Sequence, residues 1–128
     1  LYVGGNFTAL GSQLRNHLGR VSTLGTGTTD TMWNPDANAP VHALQLGSDG
    51  LFVGGEFTSI GGQTRSYLAK LNTVGAGLAN GFWSFRADAI VRALALDGAG
   101  WLYVGGDFRV IQRMGDPAAE RLGLARIQ

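Results

Sequence analysis

The sequence contains no cysteine, only 3 prolines, little charge and no long apolar run. The absence of cysteine excludes disulfides, thiolate metal ligands and cysteine nucleophiles. Only 15% of the residues are charged and the net charge is +1, so the chain carries no broad basic surface for nucleic acid or anionic membrane. No apolar run reaches the roughly 18 residues that a spanning helix needs, and no signal peptide is visible. We therefore expect no nucleic-acid partner and no membrane insertion.

Glycine is the abundant residue, at 21 of 128 positions, while 45% of the chain is apolar. This balance indicates tight turns and close packing rather than disorder. One glycine-containing segment occurs three times, as Leu1-Tyr-Val-Gly-Gly-Asn-Phe7, Leu51-Phe-Val-Gly-Gly-Glu-Phe57 and Leu102-Tyr-Val-Gly-Gly-Asp-Phe108. The copies start 50 and then 51 residues apart, and a period near this length is typical of a propeller blade.

The repeat extends beyond this segment. Aligned without gaps, residues 1–50 and 51–100 are identical at 21 of 50 positions, which indicates an internal duplication. A third copy begins at Leu102 and matches again at Leu124-Ala-Arg-Ile127. The predicted repeat units are therefore 1–50, 51–101 and 102–128, and all three belong to one β-propeller domain spanning residues 1–128.

Each complete unit is predicted to contain four short strands, named a to d. Alternation of small and large apolar residues predicts strand a at Val41–Leu46 and Val91–Leu96. The run with the glycine pair predicts strand b, which is apolar on both faces, as in a sheet covered on both sides. Strand c is predicted at residues 18–21, 68–72 and 122–127. Strand d is predicted around Met32-Trp33 and Phe82-Trp83.

These strands predict an all-β fold, a β-propeller made of four-stranded blades of about 50 residues. The predicted order runs b-c-d, a-b-c-d, a-b-c, which amounts to about 2.5 blades, whereas a ring needs about four to eight. Each blade of such an array buries its faces only against its neighbours. We therefore expect a segment of a larger ring, completed by the remaining blades of the same chain or by copies of itself.

Several motifs resemble one known family. The run Leu-Tyr-Val-Gly-Gly-x-Phe-Thr that opens a unit is similar to the delta-60 repeat of bacterial β-propeller proteins, as are Arg65–Asn72 and Asp30–Leu44. The Gly-Gly pair and the later Trp also resemble, more distantly, the kelch blade. The resemblance implies a propeller within a large exported or cell-surface protein, and hence an extracellular or cell-surface location, but it implies no activity. The third copy departs from the pattern between residues 109 and 121, where extra residues enlarge the b–c loop.

Two sets of polar residues recur in register. Asn6, Glu56 and Asp107 follow the glycine pairs. They are interpreted either as oxygen ligands around the propeller axis or as polar groups that meet a neighbouring turn or arginine, and the drift in residue type favours the second reading. A guanidinium has five donors and can tie loop carbonyls together. Recurrence therefore predicts a structural role for the arginines that precede strand c, which are Arg15, Arg65 and Arg121.

No catalytic or metal-binding constellation is visible. The two histidines do not recur, since His17 aligns with Tyr67 and His42 aligns with Arg92. Neither has a second histidine or a paired carboxylate at ligand spacing. No catalytic residue, metal site or cofactor is therefore predicted.

The d–a and b–c loops are predicted to emerge on one face and to differ between units, as binding loops on a rigid scaffold do. On these loops we predict a binding rim composed of Asp36, Asn38, Arg86, Asp88, Arg113 and Asp116. The recurrent Trp33 and Trp83 are predicted to pack between blades, and the alternative is a platform on which sugars stack.

The sequence favours a non-enzymatic propeller module that serves as a structural scaffold or protein-interaction surface, with a protein or glycan ligand. A carbohydrate-binding propeller is the first alternative, which exposed tryptophans beside the rim would favour and buried ones would remove. A kelch-like enzyme whose active site lies in blades outside residues 1–128 is the second alternative. Convergent ionisable residues in the central channel would support it.

Overall fold

The chain folds into short antiparallel strands joined by turns, in a computed structural model that describes all residues from 1 to 128. The predicted all-β class is confirmed, and no helix long and apolar enough to cross a membrane is present. The strands in chain order are β1 Tyr2–Gly4, β2 Ala9–Leu10, β3 Gln13–Leu14, β4 Leu18–Arg20, β5 Val41–Leu46, β6 Leu51–Gly55, β7 Ser59–Ile60, β8 Gln63–Thr64, β9 Leu68–Leu71, β10 Phe85–Ala87, β11 Val91–Leu96, β12 Leu102–Gly106, β13 Val110–Arg113, β14 Ala119–Glu120 and β15 Leu124–Ile127.

Two equivalent sheets form the bodies of the second and third units. Their strand orders are β5-β6-β9 and β11-β12-β15, and the first unit contributes the pair β1-β4. Because strand a pairs with the strand b that follows it, the structural second unit is counted from Val41 and the third from Val91. The register shifts at the same place in both units, between Val41 and Ala43 in β5 and between Val91 and Ala93 in β11. The duplication is therefore structural as well as sequential, although the sheets do not close a ring.

Strands a and b lie where they were predicted, but the prediction of strand d at residues 32–33 and 82–83 is wrong. Met32 and Phe82 lie in bends, and Trp33 and Trp83 belong to no regular element. In the first two units the fourth position of the sheet holds only single bridges, Val21 with Thr29 and Leu71 with Ala79. The physical reason is an Asx turn, because Asp30 Oδ1 accepts hydrogen bonds from the two N–H groups that follow at positions 32 and 33. This turn ends the extended backbone before it can form a ladder. The predicted four-stranded blade of the second unit is thus three strands and a bridge.

Each b–c connection carries a small hairpin that the sequence analysis did not predict. The hairpins pair β2 with β3, β7 with β8 and β13 with β14. In the third unit the hairpin is longer and also pairs with β10, which makes a further sheet of order β10-β13-β14. This sheet joins the d–a loop of the second unit to the enlarged loop of the third. Strand c of the third unit begins at Leu124, two residues later than predicted.

The first glycine of the recurrent pair lets neighbouring units approach closely. A Cβ on Gly4 would lie 2.7 Å from Val41 Cγ1 of the next unit, and a Cβ on Gly54 would overlap Val91 Cγ1 in the same way. A Cβ on the equivalent Gly105 would meet only atoms of its own unit at ordinary distances, Ala93 Cβ at 3.7 Å and Gly123 O at 3.9 Å. Glycine at this position is therefore required by strand a of the following unit and not by a turn.

The hydrophobic core lies between units rather than within them. We call the contact between the first and second units the first junction, and that between the second and third units the second junction. One buried cluster contains Trp33, Leu18 and Val41 and fills the first junction. The other contains Val91, Phe108 and residues of both flanking sheets and fills the second. Burial against a neighbour is what a repeat array requires of each unit.

Candidate functional site

Trp33 closes the first junction. Its side chain is completely buried, and its Nε1 donates to the carbonyl oxygen of Asn72 in the next unit at 2.9 Å. Its ring lies edge-on to Tyr2, with centroids 5.1 Å apart. The prediction that this tryptophan packs between units is confirmed, and no face of Trp33 remains on which a sugar could stack.

Trp33 and the two residues after it lie in a socket formed by backbone groups of the second unit. Asn34 N–H donates to the carbonyl of Ala76 at 3.0 Å, and the carbonyl of Pro35 accepts from Gly61 N–H at 2.7 Å. A Cβ on Gly77 would lie 2.8 Å from Pro35 Cγ, so glycine is needed for the close approach. Backbone groups of one unit thus hold the segment Trp33-Asn34-Pro35 of the preceding one.

Trp83 occupies the equivalent place at the second junction but is only half-buried. It packs on Phe52 and Phe85, with ring centroids 5.3 and 5.1 Å away. Its indole nitrogen makes no hydrogen bond within the chain, in contrast to that of Trp33. The neighbouring Phe82 is 94% exposed. The tryptophan of the first junction is therefore fully buried, whereas that of the second junction remains partly accessible to solvent.

Asn38 and Asp88, two of the predicted rim residues, hold the two junctions together. Asn38 Oδ1 accepts from the N–H groups of Thr58 and Ser59 at 2.8 and 3.1 Å. Asp88 Oδ1 accepts from the two equivalent N–H groups of the third unit at 2.9 and 3.0 Å. Each side chain therefore ties a d–a loop to the b–c hairpin of the next unit, which places the two kinds of loop side by side as predicted.

Asp88 gives a pH-dependent contribution to stability. The hydrogen bond from Val110 N–H, together with that from Arg109 N–H, lowers the pKa of the Asp88 carboxyl below its ordinary value. A carboxylate whose pKa is lower in the folded chain stabilises fully above its unfolded pKa, near 4, and this contribution disappears as the pH falls through the folded value.

We expect Asp88→Asn to remove that pH dependence while preserving the fold, because Asn38 makes the same two hydrogen bonds with an amide oxygen. Asp88→Ala should lower the free energy of unfolding by about 1 kcal/mol at pH 7, since two amides lose their acceptor. Urea titrations at pH 7 and pH 3 measure both effects. If Asp88→Asn lost as much stability on acidification as the unchanged chain, Asp88 would not be the titrating group.

Asp36 closes the outer part of the first junction. Its Oδ1 accepts a hydrogen bond from Asn16 Nδ2 at 2.8 Å. Its backbone has a φ of 54°, in the left-handed region that Asp tolerates better than most residues. The d–a loop and the region before strand c are thus linked directly by an amide and a carboxylate.

The second junction instead contains a cleft of about 310 Å³, lined by Ser66, Tyr67, Arg86, Ala87, Asp88, Val110 and Gln112. In the repeat, Arg86 replaces Asp36 and Ser66 replaces Asn16. The shorter serine and the guanidinium make no hydrogen bond to each other, so the bridge that closes the first junction is missing here.

Two of the six predicted rim residues, Arg86 and Asp88, therefore come together in this cleft. Arg113 lies on the other face of the same sheet, because it pairs with Phe85 whereas Arg86 pairs with Gln112. Asp116 lies in the turn of the enlarged hairpin. Asp36 and Asn38 belong to the first junction.

Five of the seven residues that line the cleft are not among the predicted rim residues, and three of the five are polar, namely Ser66, Tyr67 and Gln112. For Ser66 and Tyr67 the sequence does contain a signal, the difference between repeats, since the equivalent positions in the first unit are Asn16 and His17.

Two of the three polar residues that follow the glycine pairs, Glu56 and Asp107, contact basic side chains of strand a. His42 Nε2 lies 3.2 Å from Glu56 Oε2. Arg92 donates to both carboxylate oxygens of Asp107, at 2.9 and 2.6 Å, and this lowers the pKa of Asp107. Glu56 and Asp107 thus meet basic side chains of strand a, and not the recurrent arginines that precede strand c. No group of three or more His, Cys, Asp or Glu is placed to hold a metal ion.

The recurrent arginines tie loop carbonyls in the first two units. Arg15 and Arg65 are buried and donate to the carbonyls of Asp30 and Asn80, at 2.8 and 3.2 Å, as well as to the carbonyl of the preceding residue. Arg121 is exposed and bonds only to the carbonyl before it. The predicted structural role is thus confirmed for two of the three.

The strands and junctions define an all-β repeat protein whose successive sheets pack against each other. Comparison with known families agrees, because residues 47–76 match the family model described as domain of unknown function (DUF5122) beta-propeller. The matched segment spans β6, the β7–β8 hairpin and β9 of the second unit. No curated protein and no solved structure matches the chain. The segment is therefore similar to a β-propeller domain to which no function is assigned.

Proposed function

We propose that the chain is a non-enzymatic β-propeller module of a larger exported or cell-surface protein, in which it acts as a structural scaffold or protein-interaction surface. The family match supports a propeller. The similarity of the repeated motifs to the delta-60 repeat supports placing the module in that group and outside the cell. The remaining blades of the same chain, or copies of it, are the proposed first partners.

The observation that carries this proposal is a second socket on the first unit. A cleft of about 390 Å³ is lined by Gly11, Ser12, Gln13, Thr26, Gly27, Thr28, Thr29 and Thr31. These residues and Ser22 align, at an offset of fifty, with the part of the second unit that holds the Trp33-Asn34-Pro35 segment. Gly11, Ser22 and Thr26 correspond to Gly61, Asn72 and Ala76 there. The backbone conformations agree, since φ is 59° at Gly11 and 60° at Gly61. Gly27 and Gly77 agree as well, at 70° and 78°.

Three backbone groups of this first-unit socket make no hydrogen bond within the chain, namely Gly11 N–H and the carbonyls of Ser22 and Thr26. In the second unit the equivalent groups bind Pro35 carbonyl, Trp33 Nε1 and Asn34 N–H. The first-unit socket is therefore preorganised for a Trp-x-Pro segment from an adjoining blade. Such a segment would supply one acceptor and two donors in the positions already seen at the first junction.

A synthetic peptide tests this directly. A blocked peptide with the sequence of residues 30–38 should bind the chain saturably in isothermal titration calorimetry, because the first-unit socket is vacant while the second is filled. The same peptide with alanine in place of tryptophan should bind at least about tenfold more weakly, since it loses the buried ring and its N–H donor.

Two variants locate the site. Gly27→Asn should abolish peptide binding, because asparagine tolerates a positive φ and its side chain fills the space that the tryptophan needs. Gly25→Asn is the matched control, since Gly25 has a similar φ of 65° and no atom within 4 Å of a Cβ. Equal binding by both variants, or by the alanine peptide, would overturn the proposal.

The carboxylates support a non-catalytic role. The pKa is lowered at Asp30, Asp49, Asp88, Asp97 and Asp107, in each case chiefly by a hydrogen bond from an arginine, a lysine or a backbone N–H. A carboxylic acid that serves as a general acid near neutral pH needs its pKa raised instead. These groups act as structural acceptors in turns and ion pairs.

A further inference from the structure

The two junctions are equivalent in sequence but opposite in charge at one position. Asp36 at the first junction accepts a hydrogen bond from Asn16 within the chain. At the second junction Arg86 stands in its place, beside Ser66, and the cleft of about 310 Å³ remains open. At this position the chain thus supplies a hydrogen-bonded carboxylate at the first junction and a guanidinium that pairs with no carboxylate at the second.

Arg86 is one of two basic side chains that have no partner. The other eight lysines and arginines bond to carboxylates or carbonyls or lie over an aromatic ring, and these are Arg15, Arg20, Arg65, Lys70, Arg92, Arg109, Arg121 and Arg126. The second free cation, Arg113, lies on the opposite face of the sheet. No carboxylate oxygen comes within 4.0 Å of Arg86, and the Asp88 carboxylate already accepts from two backbone amides.

Other donors of the cleft are also unused. The hydroxyl groups of Ser66 and Tyr67 make no hydrogen bond within the chain, although both residues line the cleft. An ionised carboxylate accepts through two oxygens and binds a guanidinium with two parallel hydrogen bonds. One carboxylate can therefore satisfy the guanidinium and the adjacent hydroxyls together.

A smaller cavity adjoins the cleft and contributes two apolar side chains, which bear on what carries the carboxylate. It has a volume of about 70 Å³ and is lined by Thr64, Arg65, Ser66, Phe85, Arg86 and Met114. Met114 is 50% exposed. A volume near 300 Å³ is at the lower limit for ligand pockets and suits a single side chain. A peptide with an acidic residue beside an apolar one matches both cavities, whereas a uronic-acid glycan would leave the smaller cavity empty.

We propose that the cleft at the second junction binds an acidic side chain of a protein partner, with Arg86 as its counter-ion and Ser66 and Tyr67 as additional donors. This site goes beyond the scaffold role. It lies on different units from the first-unit socket, so the two proposals succeed or fail independently.

The probe is the blocked tripeptide acetyl-Leu-Glu-Leu-amide, with acetyl-Leu-Gln-Leu-amide as its uncharged match. In two-dimensional NMR at low salt, the glutamate peptide should shift the amide signals of residues 66, 86 and 112 in a saturable way. The glutamine peptide should bind at least about tenfold more weakly, because it cannot form a charge-assisted pair. High salt should weaken binding of the glutamate peptide.

Three variants assign the effect. Arg86→Gln should reduce affinity for the glutamate peptide at least about tenfold, and so should the pair Ser66→Asn with Arg86→Asp, which recreates the closed arrangement of the first junction. Arg113→Gln, a free cation on the opposite face, should leave affinity unchanged. An unaltered amide spectrum elsewhere confirms that each variant is folded.

Equal binding of the two peptides, or equal losses for Arg86→Gln and Arg113→Gln, would overturn the proposal. Saturable shifts with glucuronate but not with the glutamate peptide would overturn the protein partner in favour of an acidic glycan. Shifts confined to residues of the first unit would place the peptide elsewhere and would contradict this site.

Discussion

Replacing Trp33 by alanine should lower the free energy of unfolding by about 3–5 kcal/mol, the usual range for a buried aromatic residue. The indole is fully buried between two units and belongs to the core cluster that holds the first junction. Its removal would leave a cavity against Tyr2 and deprive the carbonyl of Asn72 of its donor. Urea denaturation followed by circular dichroism measures the loss.

Trp83→Ala is the matched control for this prediction. The two tryptophans stand fifty positions apart in the repeat, but Trp83 is only half-buried and its indole nitrogen has no acceptor. We expect a smaller loss of stability from this variant, because both the lost burial and the lost hydrogen-bonding are smaller. Equal losses would mean that the full burial of Trp33 and its hydrogen bond to Asn72 add nothing to stability.

The sequence predicted the strands that depend on periodicity. Strands a and b carry an alternating or continuous apolar pattern, and both were placed correctly because burial between neighbouring units requires that pattern. Strand d could not be placed in this way. Trp33 is apolar because it fills a socket on the next unit, and its backbone is turned by Asp30, so hydrophobicity there did not indicate a strand.

The small hairpins escaped prediction for a different reason. β7 and β8 are two residues each, too short to show a period of two, and the turn between them depends on Gly61 and Gly62 at φ values of 60° and 76°. The glycines predict a turn, but no pattern in the sequence predicts the two-residue strands on either side of it.

The candidate site was predicted in outline only. That Arg86 replaces Asp36 was visible in the alignment of the repeats, and it correctly marked the d–a loop as variable. That Asp88 is committed to backbone amides 21 and 22 residues away was not visible, because local sequence does not record such contacts. The approach of Ser66 to Arg86 likewise follows from the packing of one unit on the next.

Gly54→Ala should destabilise the chain by about 1–3 kcal/mol, the cost of forcing a methyl group into a filled space. The added Cβ would overlap Val91 Cγ1, which belongs to strand a of the following unit. At the equivalent Gly105 the nearest atom outside the adjacent residues is 3.7 Å away, in ordinary contact. Gly105→Ala should therefore cost nothing or stabilise slightly, because alanine restricts the unfolded chain.

The central claim is that the first glycine of the pair, Gly4 or Gly54, packs against strand a of the next unit. A double-mutant cycle between Gly54→Ala and Val91→Ala tests this claim most directly. Val91→Ala alone removes buried methyl groups and should also destabilise the chain. Because it removes the atom that the new Cβ would overlap, the double variant should be more stable than the sum of the two single losses predicts, by about 0.5 kcal/mol or more. Strictly additive losses, together with equal effects of Gly54→Ala and Gly105→Ala, would contradict packing between successive units.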